Sequence, residues 1–210
     1  MRVMLETRMT TRTHQFSSLA TLAIVAVALL AVGCASGGVN LKQPFQPPSF
    51  EAKVYENAEL GFSLHYPADF LEEDVPPDLA GFELALPEAE WLLLATSPQQ
   101  LPNVAILLHP ADEPELSLEA FGEGVAAVYA QIGGGEAEIE SARETTLQDG
   151  VTEAMEFIVE WSLQGFPIKT LTLFVSRGPQ TVQVQVTWAP AIGDRASLNV
   201  DEIAYSLYFE

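Results

Sequence analysis

Cations, histidines and thiols are scarce in this chain. Its 210 residues hold 9 Lys+Arg against 29 Asp+Glu, a formal net charge of −20. That balance excludes a nucleic-acid partner, because binding to a phosphate backbone depends on Lys and Arg neutralising it. The single cysteine, Cys34, excludes an internal disulfide framework and any Cys-cluster zinc site. No apolar run approaches the roughly 20 residues that cross a bilayer comfortably. The longest, Leu19 to Gly33, has 15 residues and one polar member, Thr21. What the chain does have is apolar material: 48% of its residues are hydrophobic, enough for a packed core and too much for a disordered chain.

The charge is unevenly placed. Residues 1–33 carry Arg2, Arg8 and Arg12 against Glu6 alone, so the remaining chain holds 6 Lys+Arg against 28 Asp+Glu, a formal charge of −22. A basic start, an apolar stretch and then small residues is the plan of a cleaved secretory signal over 1–33. Residues 34–53, rich in Gly, Ser, Pro and Gln without apolar periodicity, read as a flexible tether with a reach of about 25 Å. The folded body is expected from 54 to 210.

Leu30-Ala31-Val32-Gly33-Cys34-Ala35-Ser36 resembles the lipobox of bacterial lipoproteins, where a small residue precedes a cysteine that is diacylated on sulfur and becomes residue one after cleavage. Ala31 stands where leucine is usual, with Leu30 one step earlier. The resemblance implies lipid attachment (palmitate-type acylation) at Cys34, membrane anchoring, and a cell-envelope location facing the periplasm or the exterior. Ala35 after the cysteine, rather than Asp, resembles lipoproteins sorted to the outer membrane of a two-membrane host. Two or more acyl chains hold a protein stably where one does not. An acidic body is meanwhile kept off anionic headgroups.

The body alternates between two periodicities. Gly61 to Tyr66, Phe82 to Leu86, Trp91 to Ala95 and Val104 to Leu108 read as short strands bounded by prolines. Leu116 to Ile132 switches to helical spacing, with Leu118, Phe121, Val125, Val128, Tyr129 and Ile132 on one face, Ser117 as cap and Gly133-Gly134-Gly135 as stop. Four consecutive strands follow: Glu136 to Leu147, Val151 to Leu163, Ile168 to Val175 and Val182 to Trp188. Turns at Asp149-Gly150, Gly165-Phe166-Pro167 and Gly178-Pro179-Gln180 make them antiparallel. Their polar positions, among them Glu156, Gln183 and Gln185, are expected to face away from the core. Leu173-Phe174 needs cover on both sides. Asn199 and Glu202 have capping-box spacing for a closing helix. The sum is an α+β domain, one antiparallel sheet of about six or seven strands with helices packed on it.

Chemistry is hard to find in this body. His65 falls on the polar face of its strand, and His109 is expected in a loop before Pro110 with no Gly-x-Ser-x-Gly to serve. Glu72-Glu73-Asp74 and Asp112-Glu113 with Glu115 offer hard oxygens but lack the spacing that wraps ligands around calcium. Gly133-Gly134-Gly135 follows a helix, lacks a Lys-Ser/Thr partner and runs into Glu136, Glu138 and Glu140, so it is no phosphate loop. Trp161 and Trp188 belong to buried faces, and Trp91 leads an almost wholly apolar strand. No catalytic residue, cofactor site or metal site is expected.

Tyr55-Glu56-Asn57 followed by Gly61-Phe62-Ser63-Leu64-His65-Tyr66-Pro67-Ala68-Asp69-Phe70 resembles the opening of PsbP-like domains, found in many small bacterial lipoproteins. The closing Ser206-Leu207-Tyr208-Phe209 and the helix-then-meander order are similar too. The resemblance implies an α-β-α sandwich over 54–210 and a non-enzymatic role. Its relatives include the extrinsic photosystem subunit, a Ran-binding transport factor and DcrB-type lipoproteins, and those that are understood bind a larger protein. The expected function is therefore a membrane-anchored accessory module on an envelope protein complex. The alternative is a lipoprotein that binds a small ligand or a divalent metal.

Overall fold

Among the described residues, the strands expected from Gly61 to Tyr66, Trp91 to Ala95 and Val104 to Leu108 and the four of the meander are present. The computed structural model describes residues 42–74, 89–109, 118–177 and 180–210. The expected signal segment, Cys34, the Phe82–Leu86 strand, Ser117, the Asp112-Glu113-Glu115 group and Gly178-Pro179 lie outside the described residues.

In chain order the elements are β1 (Ala52–Asn57), β2 (Phe62–Pro67), β3 (Leu71–Glu72), β4 (Glu90–Thr96), β5 (Asn103–His109), α1 (Leu118–Gly133), β6 (Ala137–Thr146), β7 (Glu153–Leu163), β8 (Phe166–Arg177), β9 (Gln180–Trp188), α2 (Val200–Ala204) and β10 (Tyr208–Phe209). Every pairing is antiparallel. The expected single sheet is in fact two. A seven-stranded sheet runs β3-β4-β5-β9-β8-β7-β6, and a three-stranded sheet runs β1-β2-β10. The meander β6 to β9 is local, as the short turns require. Bringing β9 against β5, Val186 beside Val104, is a non-local pairing that turn chemistry cannot specify.

Period-2 alternation divides the large sheet into two faces. One face carries Val104, Ile106, Leu171, Leu173, Val175, Val182, Val184, Val186 and Trp188. It packs against β2, α2 and β10 through Phe62, Leu64, Tyr66, Val200, Ile203, Leu207 and Phe209. The other face carries Phe157, Val159, Trp161, Ile168 and Phe174, covered by Val125 and Tyr129 of α1. Leu173 and Phe174, adjacent and both buried, thus have the two-sided cover their sequence demands.

Helix α1 stops at its glycines. Gly134 takes φ +70°, and the Gly135 amide donates to the Ala130 carbonyl at 3.1 Å, satisfying one of the carbonyls a helix end leaves free. The closing helix departs from expectation. Asn199 sits in the left-handed region (φ 54°, ψ 28°) and makes no side-chain cap, and α2 spans only Val200–Ala204. Glu202 turns instead to Ser49, accepting from its amide at 2.6 Å and its hydroxyl at 2.9 Å. Tyr208 and Phe209 leave the helix to pair with Ser63 and Phe62.

The body also begins earlier than residue 54. From Lys42 on, the segment expected to hang free is laid against the domain. The Gln43 amide donates to the Asp149 carbonyl at 2.7 Å, and Phe45 stacks on His65 at 4.5 Å between ring centroids. Lys42 donates to the Phe209 carbonyl and lies over the Tyr208 ring. Among the described residues no helix is long and apolar enough to cross a membrane.

Candidate functional site

Buried polar groups are the natural place to look for chemistry, since each costs free energy unless it is bonded. Two clusters lie on opposite faces of the large sheet.

The first surrounds Glu156, in the middle of β7. Its alternation partners Thr152 and Glu160 suggest an outward face, yet Glu156 is 1% exposed. The reason is cover: the loop after β9 and the end of α2 fold over this part of the sheet. Arg143 of β6, directly opposite Glu156 in register, grips it with both ends of its guanidinium, Nε to Oε1 at 2.9 Å and Nη2 to Oε2 at 3.0 Å. The Tyr205 hydroxyl donates to Oε2 at 2.5 Å, and Arg195 approaches the same oxygen at 3.3 Å while also pairing with Asp201. A bulge between Ile139 and Ser141 shifts the register of β6, which sets Arg143 across from Glu156. Burial alone would raise the Glu156 carboxyl. The hydrogen bonds from Arg143 and Tyr205 and the charges of Arg195 and Arg143 outweigh it and hold the carboxyl below its usual range.

The second cluster is a polar seam beneath α1. Gln183 and Gln185, expected outward, are buried there, as are Thr170 and Thr172. Trp161 Nε1 donates to Thr170 Oγ1 at 3.0 Å, Thr170 meets Thr187 at 3.1 Å, and the Tyr129 hydroxyl meets Thr172 at 3.4 Å. Burial pushes the Tyr129 phenol up to about 12 against the hydrogen bonds to Thr172 and Thr170. His109 ends the seam. It is the last residue of β5, 1% exposed, with Nε2 at 2.5 Å from Gln183 Oε1 and no partner among the described residues for Nδ1. The expected loop position is corrected: His109 still lies within the sheet.

Burial lowers the His109 pKa, and the bond to Gln183 offsets only part of that; burial lowers His65 as well. A histidine titrating lower in the fold than its unfolded value near 6.5 contributes stability that is full above that pH and is lost as pH falls through and below it. The melting temperature should therefore drop on going from about pH 7.5 to about pH 5.5. A His109→Gln variant should show a smaller drop over the same interval, read by thermal denaturation at each pH.

The remaining sequence candidates are accounted for singly. Glu72 accepts the Tyr66 hydroxyl at 2.5 Å. His65, expected in solvent, lies under Phe45. Trp161 and Trp188 are buried on opposite faces, and Trp91 packs at the edge of the cluster around Ala105 and Leu107. Asp149 is buried as a turn residue, its Oδ1 accepting the amides of Val151 at 3.0 Å and Thr152 at 2.8 Å. Among the described residues no group of three or more His, Cys, Asp or Glu is placed to hold a metal ion.

A cleft of about 940 Å³ opens between the β6–β7 turn and β8, lined by Glu144, Thr146, Thr152, Glu153, Met155 and Phe174 among others. Sequence patterning did not suggest it. Its lining comes from three strand ends that only the register brings together.

No protein-family model matches the chain, and no curated protein matches it. Solved structures do. The cyanobacterial PsbP of Synechocystis sp. PCC 6803 is 11% identical and superposes with a TM-score of 0.60, over 84% of this chain and 97% of that one. The Ran-binding protein Mog1p of Saccharomyces cerevisiae is 12% identical with a TM-score of 0.50, over 77% and 96%. At such identities the likeness is one of fold alone. The chain has a PsbP-like fold.

Proposed function

We propose that this chain is a lipid-anchored accessory module of the cell envelope: a non-catalytic domain that docks onto a larger membrane-associated protein complex. The observation that carries this reading is the state of Glu156. A buried carboxylate among arginines and a tyrosine is the group best suited to acid–base work, and both its oxygens are taken up by Arg143, Arg195 and Tyr205. Such a bonded network rigidifies a fold and holds the carboxylate as a structural anion rather than a free base. The fold supports the same direction, since a structure of this shape in yeast is named for binding Ran.

Cys34 supplies the anchor. From Cys34 to Lys42 the chain spans at most about 28 Å when fully extended, so a body held from Lys42 onward stays close to the membrane surface. Expressed in a bacterial host that processes lipoproteins, the protein is expected in the membrane fraction, with acyl chains on an N-terminal peptide beginning at Cys34. Cys34→Ala should move it to the soluble fraction or leave it unprocessed, read by fractionation and intact-mass spectrometry. A wild-type protein found without lipid in the soluble fraction would overturn the anchor.

The cleft beside β8 favours a second reading, a module that binds a small cation. Glu144 and Glu153 lie diagonally on one face over Met155 and Phe174, and among the described residues no basic side chain lines it. A saturable rise in melting temperature with calcium or a small organic amine, lost in Glu144→Gln, would support that reading.

A further inference from the structure

The large sheet has one end that folding does not explain. Leu163 and Phe166 are cross-strand partners at the tip of the β7–β8 hairpin, and they are 42% and 71% exposed. Between them Gln164 and Gly165 both have positive φ, +52° and +85°. That is the two-residue turn whose twist matches its flanking strands, so the tip is held rather than loose. Its base is rigid as well. Trp161 is buried two residues below the tip, and Gly133, at the end of α1, is pressed against the Ser162 carbonyl. Ile192, 52% exposed, belongs to the loop leaving β9 at the same end of the sheet.

Carboxylates outnumber free cations at this end, because Lys169 and Arg195 are both held in ion pairs. Glu136, Glu138 and Glu160 are all exposed. Glu138 lies directly opposite Glu160 in register, a like-charge pair that weakens a sheet. The pair stands on the face of the hairpin opposite to Leu163 and Phe166, so that carboxylates flank the tip from behind as Glu136 does from the end of α1. The neighbouring cation, Lys169, is bound to Glu140 at 2.8 Å and Glu160 at 3.3 Å, which leaves Glu138 without an ion-pair partner among the described residues. The last turn of α1, whose carbonyl end carries partial negative charge, has no basic residue.

We propose that this hairpin tip is the docking surface, and that its partner is a protein presenting an apolar pocket rimmed by basic side chains. The inference rests on the accessory reading above and names the surface that reading uses. Charge complementarity selects the occupant. A second copy of this chain would set carboxylate rim against carboxylate rim, and an anionic bilayer would be repelled in the same way. Geometry agrees. Lys42 and Gln43 are seated at the Asp149 end of β7, and 11 residues of strand, about 33 Å, separate that end from the tip. The tip lies at the end of β7 away from Lys42 and Gln43.

The test uses the full-length, membrane-anchored protein with a photo-crosslinking amino acid at position 166, or at exposed Thr146 near the opposite end as a control. A single protein joined at 166 and not at 146 is expected. Once identified and purified, it should bind the wild-type domain at least tenfold more tightly than Phe166→Ser or Leu163→Ser, with melting temperatures of the variants unchanged. Its affinity should fall with salt, and less steeply for a Glu136→Gln/Glu138→Gln variant. Adducts at 166 to lipid or to a second copy of this chain would overturn the proposal. A partner joined at 146 alone would overturn it while sparing the accessory reading. No protein adduct at either position, with nothing co-purifying, would sink both.

Discussion

Gly133→Ala is expected to destabilise the domain by about 2 kcal/mol or more, although helix propensity alone predicts a gain of about 1 kcal/mol. A β-carbon there would sit 2.1 Å from the Ser162 carbonyl oxygen and 3.2 Å from Trp161, a contact that only backbone movement can relieve. Gly134 gives the internal comparison. Its φ is +70° but nothing lies within 4 Å of a built β-carbon, so Gly134→Ala should cost only the strain of a left-handed alanine, about 1 kcal/mol. For a domain of this size each kcal/mol moves the melting temperature by about 2–4 °C. Thermal or urea unfolding of the two variants therefore separates close approach from conformational strain. Equal losses in both would mean that α1 does not press on β7.

Glu156→Ala should cost about 3 kcal/mol, because it strips the anion from a cluster that has already desolvated parts of two arginines and a tyrosine. Arg143→Ala should cost less. That side chain is 57% exposed, and water takes over part of its role, whereas Glu156 at 2% has no such recourse. The pH dependence has a definite sign. A carboxyl held below its unfolded value contributes stability that is present above that value, near 4.5, and is lost as pH falls through the folded one. Urea midpoints of wild type and Glu156→Gln should differ at neutral pH and converge as the medium is acidified below about 4.5. Curves that stay parallel would mean that the carboxylate is not ionised in the fold.

Much of this architecture was legible in local pattern. The four meander strands, α1 and its glycine stop follow from period 2, period 3.6 and turn chemistry, and the PsbP-like opening from Gly61 to Phe70 pointed to the fold observed. What local pattern could not supply was cover. Glu156 looks outward because Glu160 is outward, yet Ala154 and Ile158 flank it at two-residue spacing on the same face, a sign that the middle of that face is buried. Gln183 and Gln185 alternate with valines as any half-exposed strand would. They are interior because that face is covered, Val128 and Ile132 of α1 packing against Ala105 and Leu107, the β5 partners of Gln185 and Gln183. Gln183 reaching His109 makes His109 a seam residue. Phe45 and Ser49 lie in a stretch with no periodicity at all, so their contacts with His65 and Glu202 are long-range and have no local signature. Tyr208-Phe209 continues a helical pattern and was captured by β2 instead, where pairing with Phe62 buries Phe209.

The central claim is that the protein works by holding another protein at the membrane. The most direct measurement is native-gel and cross-linking mass analysis of the C-terminally tagged full chain, gently solubilised from membranes, with Cys34→Ala in parallel. The account predicts one near-stoichiometric envelope protein co-migrating with the wild-type chain and reduced when Cys34 is replaced. A wild-type chain that migrates alone from membranes, with nothing cross-linked above background, would contradict it.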